Sequence, residues 1–137
     1  MKQFTQRLII STQKKRELIK ITSEIEDIIK KSKIKEGVCF VFLPHATASL
    51  LVNEDEEGLK EDIWQNIDNL FPSNINYRHN QLDNNAEAHL INVWLGSNRV
   101  FLVSGNKLER GTWQEIFLLE NDGPRSNRQL IVKIMGE

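Results

Sequence analysis

Hydrophobic positions in this chain switch between a period of two and a period near 3.6, and the switches mark the elements. Thr5 to Thr12 reads as an opening strand, with Leu8 and Ile10 on one face and Ile9 on the other. Lys14-Lys15-Arg16 then reads as a solvated turn or a strand edge. Ser23-Glu24-Ile25-Glu26 has the form of a capping box, in which Ser23 and Glu26 satisfy each other's backbone donors at a helix start. Ile21, Ile25, Ile28 and Ile29 share one face of that helix. Gly37 ends the unit, and Val38 to Leu43 is an uninterrupted apolar run of buried-strand type.

Pro44-His45-Ala46-Thr47 breaks the run, and a strand resumes from Ser49 to Asn53. Acids crowd the first turn of a helix from Asp55 to about Leu70, with Leu59, Ile63, Ile67 and Leu70 as its apolar stripe. Pro72 stops it. Ser73 to Asn85 is polar and turn-rich, with asparagines at 74, 76, 80, 84 and 85, and loops of this length in a compact domain are usually functional or mobile. Ala86 to Leu95 reads as a short helix with Ala86, Leu90, Val93 and Trp94 inward and Gly96 as its C-cap. Three strands follow: Arg99 to Ser104, Thr112 to Leu119 and Arg128 to Met135. The first two join through Gly105 to Gly111, the last two through the turn Asn121-Asp122-Gly123-Pro124. This order predicts an α+β fold, a single compact domain over residues 1–137 with about three helices and a largely antiparallel sheet.

Composition narrows the class. Leu, Ile, Val and Phe supply 43 of 137 residues, well above the level of roughly 20% at which charged chains stay disordered. The single cysteine, Cys39, excludes an internal disulfide framework and any CxxC site. A net charge of −1 leaves no basic footprint for nucleic acid or an anionic membrane. No apolar run approaches the roughly 20 residues that span a bilayer. Thr5, Gln6 and Arg7 fall where a signal peptide needs an apolar stretch, so a soluble, cytoplasmic protein is expected.

Candidate chemistry gathers at breaks in this pattern. His45 follows a buried strand, His79 lies in the polar loop and His89 falls on the third helix. Imidazoles suit zinc ligation or proton transfer, yet HExxH and HxH spacings are absent, and spacing alone favours three ordinary histidines. Glu54 and Asp62 are candidate general bases or partners of a histidine, whereas Asp55, Glu56 and Glu57 read as dipole and capping residues. Trp113 beside Gly111 and Thr112 packs in a core or forms a stacking wall, with the Gln114 amide reading a ring edge. Arg125 at the exit of the 121–124 turn clamps a carboxylate or phosphate, or pairs with Glu120 or Asp122. Walker, GxGxxG and G-x-S-x-G patterns are absent.

Several segments together resemble the YjbQ family, also called UPF0047. They are His45-Ala46-Thr47-Ala48-Ser49-Leu50, Asn53-Glu54, Tyr77-Arg78-His79, Asn85-Ala86-Glu87-Ala88-His89-Leu90, Leu95-Gly96-Ser97, Gly111-Thr112-Trp113-Gln114 and Glu120-Asn121-Asp122-Gly123-Pro124-Arg125. They run in order from about residue 38 to the end. One departure is Ala46, where the family usually has a second threonine beside Thr47. The resemblance implies a compact α+β fold, a homotrimer and a secondary thiamine-phosphate synthase activity, a transferase reaction joining a pyrimidine diphosphate to a thiazole phosphate. The motif residues it carries onto this chain are His45, Glu54, His79, Asn85, His89, Trp113, Gln114, Glu120, Asp122 and Arg125.

Three functions follow as expectations. In the first, His45, Glu54 and His89 act catalytically while Asn85, Trp113, Gln114, Glu120, Asp122 and Arg125 hold a phosphorylated or heterocyclic substrate. Loss of pyrophosphate needs a cation at the leaving group and a stacking surface for the ring. In the second, His45, His79 and His89 ligate a divalent metal (zinc or magnesium) and Glu54 takes a proton from its water, as a hydrolase does. In the third, a trimer binds a metabolite without catalysis.

Overall fold

The segment around Ile116-Phe117-Leu118-Leu119 carries four consecutive apolar residues, and a strand of that kind has to be covered on both faces. The computed structural model, which describes residues 1–137, achieves this with two sheets. In chain order the elements are β1 (Lys2–Ile10), β2 (Glu17–Lys20), α1 (Thr22–Ser32), β3 (Glu36–Phe42), β4 (Ala48–Asn53) and α2 (Glu57–Leu70). A 3-10 turn at Arg78–Gln81 leads to α3 (Ala86–Leu95), β5 (Asn98–Ser104), β6 (Lys107–Leu108), β7 (Glu115–Glu120) and β8 (Arg128–Gly136). The first sheet runs β1-β8-β3-β5-β6 and the second β2-β7-β4. Every strand pair is antiparallel.

The main core lies between the inner faces of the two sheets and α1. Ile25, Ile28 and Ile29 of α1 meet Val41, Val132 and Ile134 of the first sheet and Leu50, Ile116 and Leu118 of the second. Strand alternation sends Leu51, Phe117 and Leu119 to the other face of the second sheet, where Ile67 of α2 and Ile91 of α3 cover them. Cys39 is buried in the main core, and burial pushes its thiol up to about 12, so it behaves as a small apolar residue. No helix is long and apolar enough to cross a membrane.

Several expected features differ locally. The capping box does not form: α1 starts at Thr22 after an Ile21 N-cap, and the Ser23 hydroxyl donates to Glu24 instead. The helix starts early because the backbone N–H of Ile21 donates to Ile116 and the Thr22 hydroxyl accepts from the Ile116 N–H. β2 and β6 are short strands without a strong alternation, and neither stands out in the sequence. Helix α2 begins at Glu57, capped by the Glu56 carboxylate, and Leu70 of its expected stripe is exposed. Val93 and Trp94, expected inward on α3, are exposed. The inward face of α3 is Ala88, Ile91 and the polar Asn92, whose amide donates to the Ala48 carbonyl at 2.8 Å. A hydrogen-bonding side chain on that face rotates the helix away from its most apolar stripe.

Candidate functional site

Strand alternation carries one charge from each sheet into the interior. Ile116, Leu118 and Glu120 share the inner face of β7, as Arg128, Leu130 and Val132 share that of β8. Glu120 is 0% and Arg128 5% exposed. Arg128 Nε donates to Glu120 Oε1 at 2.9 Å, and Nη2 donates to Oε2 and to Thr47 Oγ1. The Thr12 hydroxyl and the Asp122 N–H complete the carboxylate, at 2.8 and 3.1 Å. Burial pushes the Glu120 carboxyl up, but the bonds from Arg128, Thr12 and Asp122 outweigh it and hold the group below its ordinary value. This pair ties the ends of the two sheets together, and its groups are turned to one another rather than to a ligand.

The following turn builds the accessible part. Asp122 accepts from Asn85 Nδ2 and from Arg125 Nη2, both at 2.9 Å, and Lys15 Nζ lies 3.5 Å from its second oxygen. Arg125 Nε donates to the Asp122 carbonyl at 2.9 Å, and its backbone N–H donates to Thr12 Oγ1 at 2.8 Å. Burial pushes the Asp122 carboxyl up, but the Asn85 and Arg125 hydrogen bonds dominate and hold it below its ordinary value. Gly123 is required by close approach: a Cβ there would lie 2.1 Å from the Lys14 carbonyl oxygen and 2.9 Å from Glu120 Cγ.

Two of the three histidines meet here. Because Asn85 donates its amide to a carboxylate, its Oδ1 is the acceptor facing His79, 2.9 Å from Nε2. His79 therefore carries its proton on Nε2 and leaves Nδ1 unprotonated when neutral. The His89 ring stands edge-on to it, 4.5 Å between centroids at 68°. His45 follows β3, and its backbone carbonyl is held by Asn92. His45 Nε2 accepts the Gln129 N–H at 2.8 Å, so its proton sits on Nδ1. Burial, and then the charges of Arg128 and Arg125 against that of Glu120, push the His45 pKa down.

Within one chain this arrangement does not gather His45, His79 and His89 around a single ion. A metal needs an imidazole lone pair, and His45 has already given its own to a backbone N–H. No group of three or more His, Cys, Asp or Glu residues is placed to hold an ion. The residues present do not fit a zinc or magnesium centre in a single chain.

Three other expected site residues lie at the opposite end of the second sheet. In the β4–β7 register Ala48 faces Glu120, whereas Asn53 faces Glu115. Five residue steps at about 3.4 Å separate these ends by about 17 Å. Glu54 follows β4, and Trp113 and Gln114 precede β7. Gln114 Oε1 accepts the Gly111 N–H at 2.7 Å and closes its own turn, while Trp113 is exposed. Within one chain, then, Glu54 does not join His45 and His89, and Trp113 and Gln114 do not join Arg125. Sequence reasoning missed Thr12, Lys15 and Arg128. For Arg128 a signal existed, because alternation with Leu130 and Val132 turns a charge toward the core, where it needs a partner.

The fold and this turn-centred site define a class of small two-sheet α+β proteins, and comparison identifies it. The sequence model for the family described as UPF0047 protein YjbQ-like matches residues 6–137, and the chain belongs to this family. A UPF0047 protein of Methanothermobacter thermautotrophicus is 39% identical over 137 residues, covering 100% of this chain and 95% of its own. One from Archaeoglobus fulgidus is 42% identical over 128 residues, covering 93% and 98%. Among solved structures, a YbjQ-like protein of unknown function from Sulfolobus solfataricus P2 superposes with a TM-score of 0.96, 46% identity and 99% coverage of each chain.

Proposed function

We propose that this protein binds a small phosphorylated metabolite at the Glu120–Arg125 end of the second sheet. The observation that carries the reading is the state of Arg125. Two of its donors lock the turn, while Nη1 has no partner in the chain and is open to solvent beside Lys15. Neutral His45, with a protonated Nδ1, stands in a field where the two arginines outweigh Glu120. Positive potential with unspent N–H donors suits a phosphate or pyrophosphate oxygen. The test is calorimetric titration with inorganic pyrophosphate. Arg125→Lys, which loses the planar fork, is expected to weaken binding by about tenfold or more. Unchanged affinity in that variant refutes the reading.

The chemistry consistent with such a site is the secondary transfer that the family resemblance implies. A thiazole nitrogen forms a bond to the pyrimidine methylene carbon, and the carbon–oxygen bond breaks as pyrophosphate leaves with the electron pair. Arg125 and Lys15 supply charge for that leaving group. In this reading Trp113, the stacking residue that the resemblance carries over, comes from a neighbouring copy, since Trp113 of the same chain lies at the far end of β7. This ties the transfer reading to a homotrimer. An outer face of the first sheet supports assembly: Phe40, Phe42, Val100 and Leu102 are 41%, 43%, 55% and 63% exposed on paired strands. Light scattering is expected to give about three times the 15.9 kDa chain mass. A monomer mass at micromolar concentration overturns the trimer.

A further inference from the structure

A pocket of about 550 Å3 opens beside the Asp122 turn, between the end of α2, the 73–85 loop and the start of α3. Asn85 and Lys15, both bonded to Asp122, form the wall shared with the proposed phosphate site. Only three of its fourteen lining residues are hydrophobic. A volume in this range suits a small metabolite, but the walls are far more polar than those of sites for apolar ligands.

Two lining side chains that are not fully exposed face the pocket without a partner in the chain. Asn121 is only 8% exposed, and its side-chain amide makes no hydrogen bond within the chain. The amide opens onto the pocket's solvent, where a ligand group that replaces water meets a side chain already held in place. Glu87, half-buried on α3, forms neither an ion pair nor a hydrogen bond. Lys15 is turned toward Asp122, and Arg16 pairs with Asp68, Nη2 lying 3.0 Å from Oδ1, while Arg16 Nε and Nη2 are themselves buried away from the pocket's solvent and make no hydrogen bond. The exposed amides of Asn74 and Asn84 also make no bond within the chain.

These groups ask for a ligand that donates to a carboxylate and both donates to and accepts from amides. Hydroxyl groups do both. A phosphate inside the pocket would face Glu87, and like charges repel, so an anionic group belongs at the Lys15–Arg125 rim. No aromatic pair is available to sandwich a planar ring: Phe71 is the only aromatic lining residue, and Trp64 is covered by the Arg16 guanidinium 4.2 Å from its centroid. We infer that the pocket takes the hydroxylated body of a sugar phosphate whose phosphate lies at the Lys15–Arg125 rim. This rests on the phosphate reading above and adds the class of the organic part.

The test is titration of the full-length protein with ribose 5-phosphate, ribose and inorganic phosphate, followed by calorimetry. Ribose 5-phosphate is expected to bind about tenfold tighter than inorganic phosphate, because hydroxyls satisfy Asn121 and Glu87. Asn121→Leu and, independently, Glu87→Gln should each reduce that advantage and leave inorganic phosphate affinity unchanged or, for Glu87→Gln, slightly raised. Asn121→Leu removes no hydrogen bond, so urea unfolding of the variant should match the wild type. If inorganic phosphate binds and ribose 5-phosphate binds no tighter, the inference falls while the phosphate site stands. If ribose 5-phosphate is tighter but neither variant alters its advantage, the sugar lies elsewhere and the inference falls. If neither anion binds, the phosphate reading and the inference fall together.

Discussion

The two ends of β7 use charge in opposite ways. At the Glu115 end, charges are plentiful and face solvent. Asp55 sits 2.8 Å from Lys60 and 3.1 Å from Lys20, and Arg110 spreads between Glu26 and Glu115. At the Glu120 end, charges are fewer and deeper, and each one positions the next. Arg128 fixes Glu120, Glu120 accepts the Asp122 N–H, and Asp122 orients both Asn85 and Arg125. The lesson is that ion pairs by number do not locate function. A buried, directional network that leaves donors unspent at its rim does, whereas an exposed, mutually paired cluster satisfies only itself.

The largest expected effect comes from removing the anchor of the deep end. Glu120→Ala leaves the Arg128 guanidinium buried without its carboxylate, and breaking one side of a buried pair costs about 3–5 kcal/mol. Urea unfolding measures this, and pyrophosphate binding should vanish with it because the 121–125 turn loses its seat. A double replacement, Glu120→Leu with Arg128→Met, should recover part of the stability but none of the binding. A cost below about 1 kcal/mol for Glu120→Ala would remove the contrast between the ends.

How much of this contrast is readable beforehand depends on range. The turn Asn121-Asp122-Gly123-Pro124 and Arg125 at its exit are local features, and they stand where the sequence pattern puts them. The fold class is equally local in origin, since α+β order and antiparallel pairing follow from element sequence and short connections. The partners of Glu120 are another matter: Thr12 is 108 positions away, and no local rule connects them. Trp113 and Arg125 look close in sequence at twelve residues, yet a six-residue extended strand holds them apart. Sequence proximity misleads when the intervening segment is extended, and it helps when that segment turns back. His79 and His89, ten residues apart, meet for the second reason, through the 3-10 turn and the start of α3.

An intermediate effect is expected from pH. Burial and the two arginines hold the folded His45 pKa below its ordinary 6.5. In that interval the unfolded chain binds a proton that the folded chain refuses, so stability is complete above about pH 6.5 and falls as pH drops through the folded value. Glu120 and Asp122 have the same sign at lower pH, below their ordinary 4.5 and 3.8. Urea titrations at pH 7.5 and 5.5 isolate the histidine from the carboxylates. The wild type should lose stability between them, and His45→Gln should lose less. Equal losses in both proteins would show that His45 does not feel the deep-end charges.

The smallest effect belongs to the other end, and it is the sharper test of the comparison. Hydrogen bonds from Lys60 and then Lys20 hold the Asp55 carboxyl below its ordinary value and push Lys60 up to about 12. Read by those shifts alone, Asp55 would rival Glu120 in importance. The geometry argues otherwise, because both lysines and the carboxylate remain in contact with water, where screening and side-chain entropy cancel most of the attraction. Asp55→Asn should therefore change stability by less than about 1 kcal/mol and leave pyrophosphate affinity unaltered. Raising the salt concentration should shrink even that difference, while the cost of Glu120→Ala stays nearly constant. A salt-insensitive loss at Asp55 comparable to that at Glu120 would mean that the two ends of β7 are built alike, and the assignment of the site to one of them would lose its physical basis.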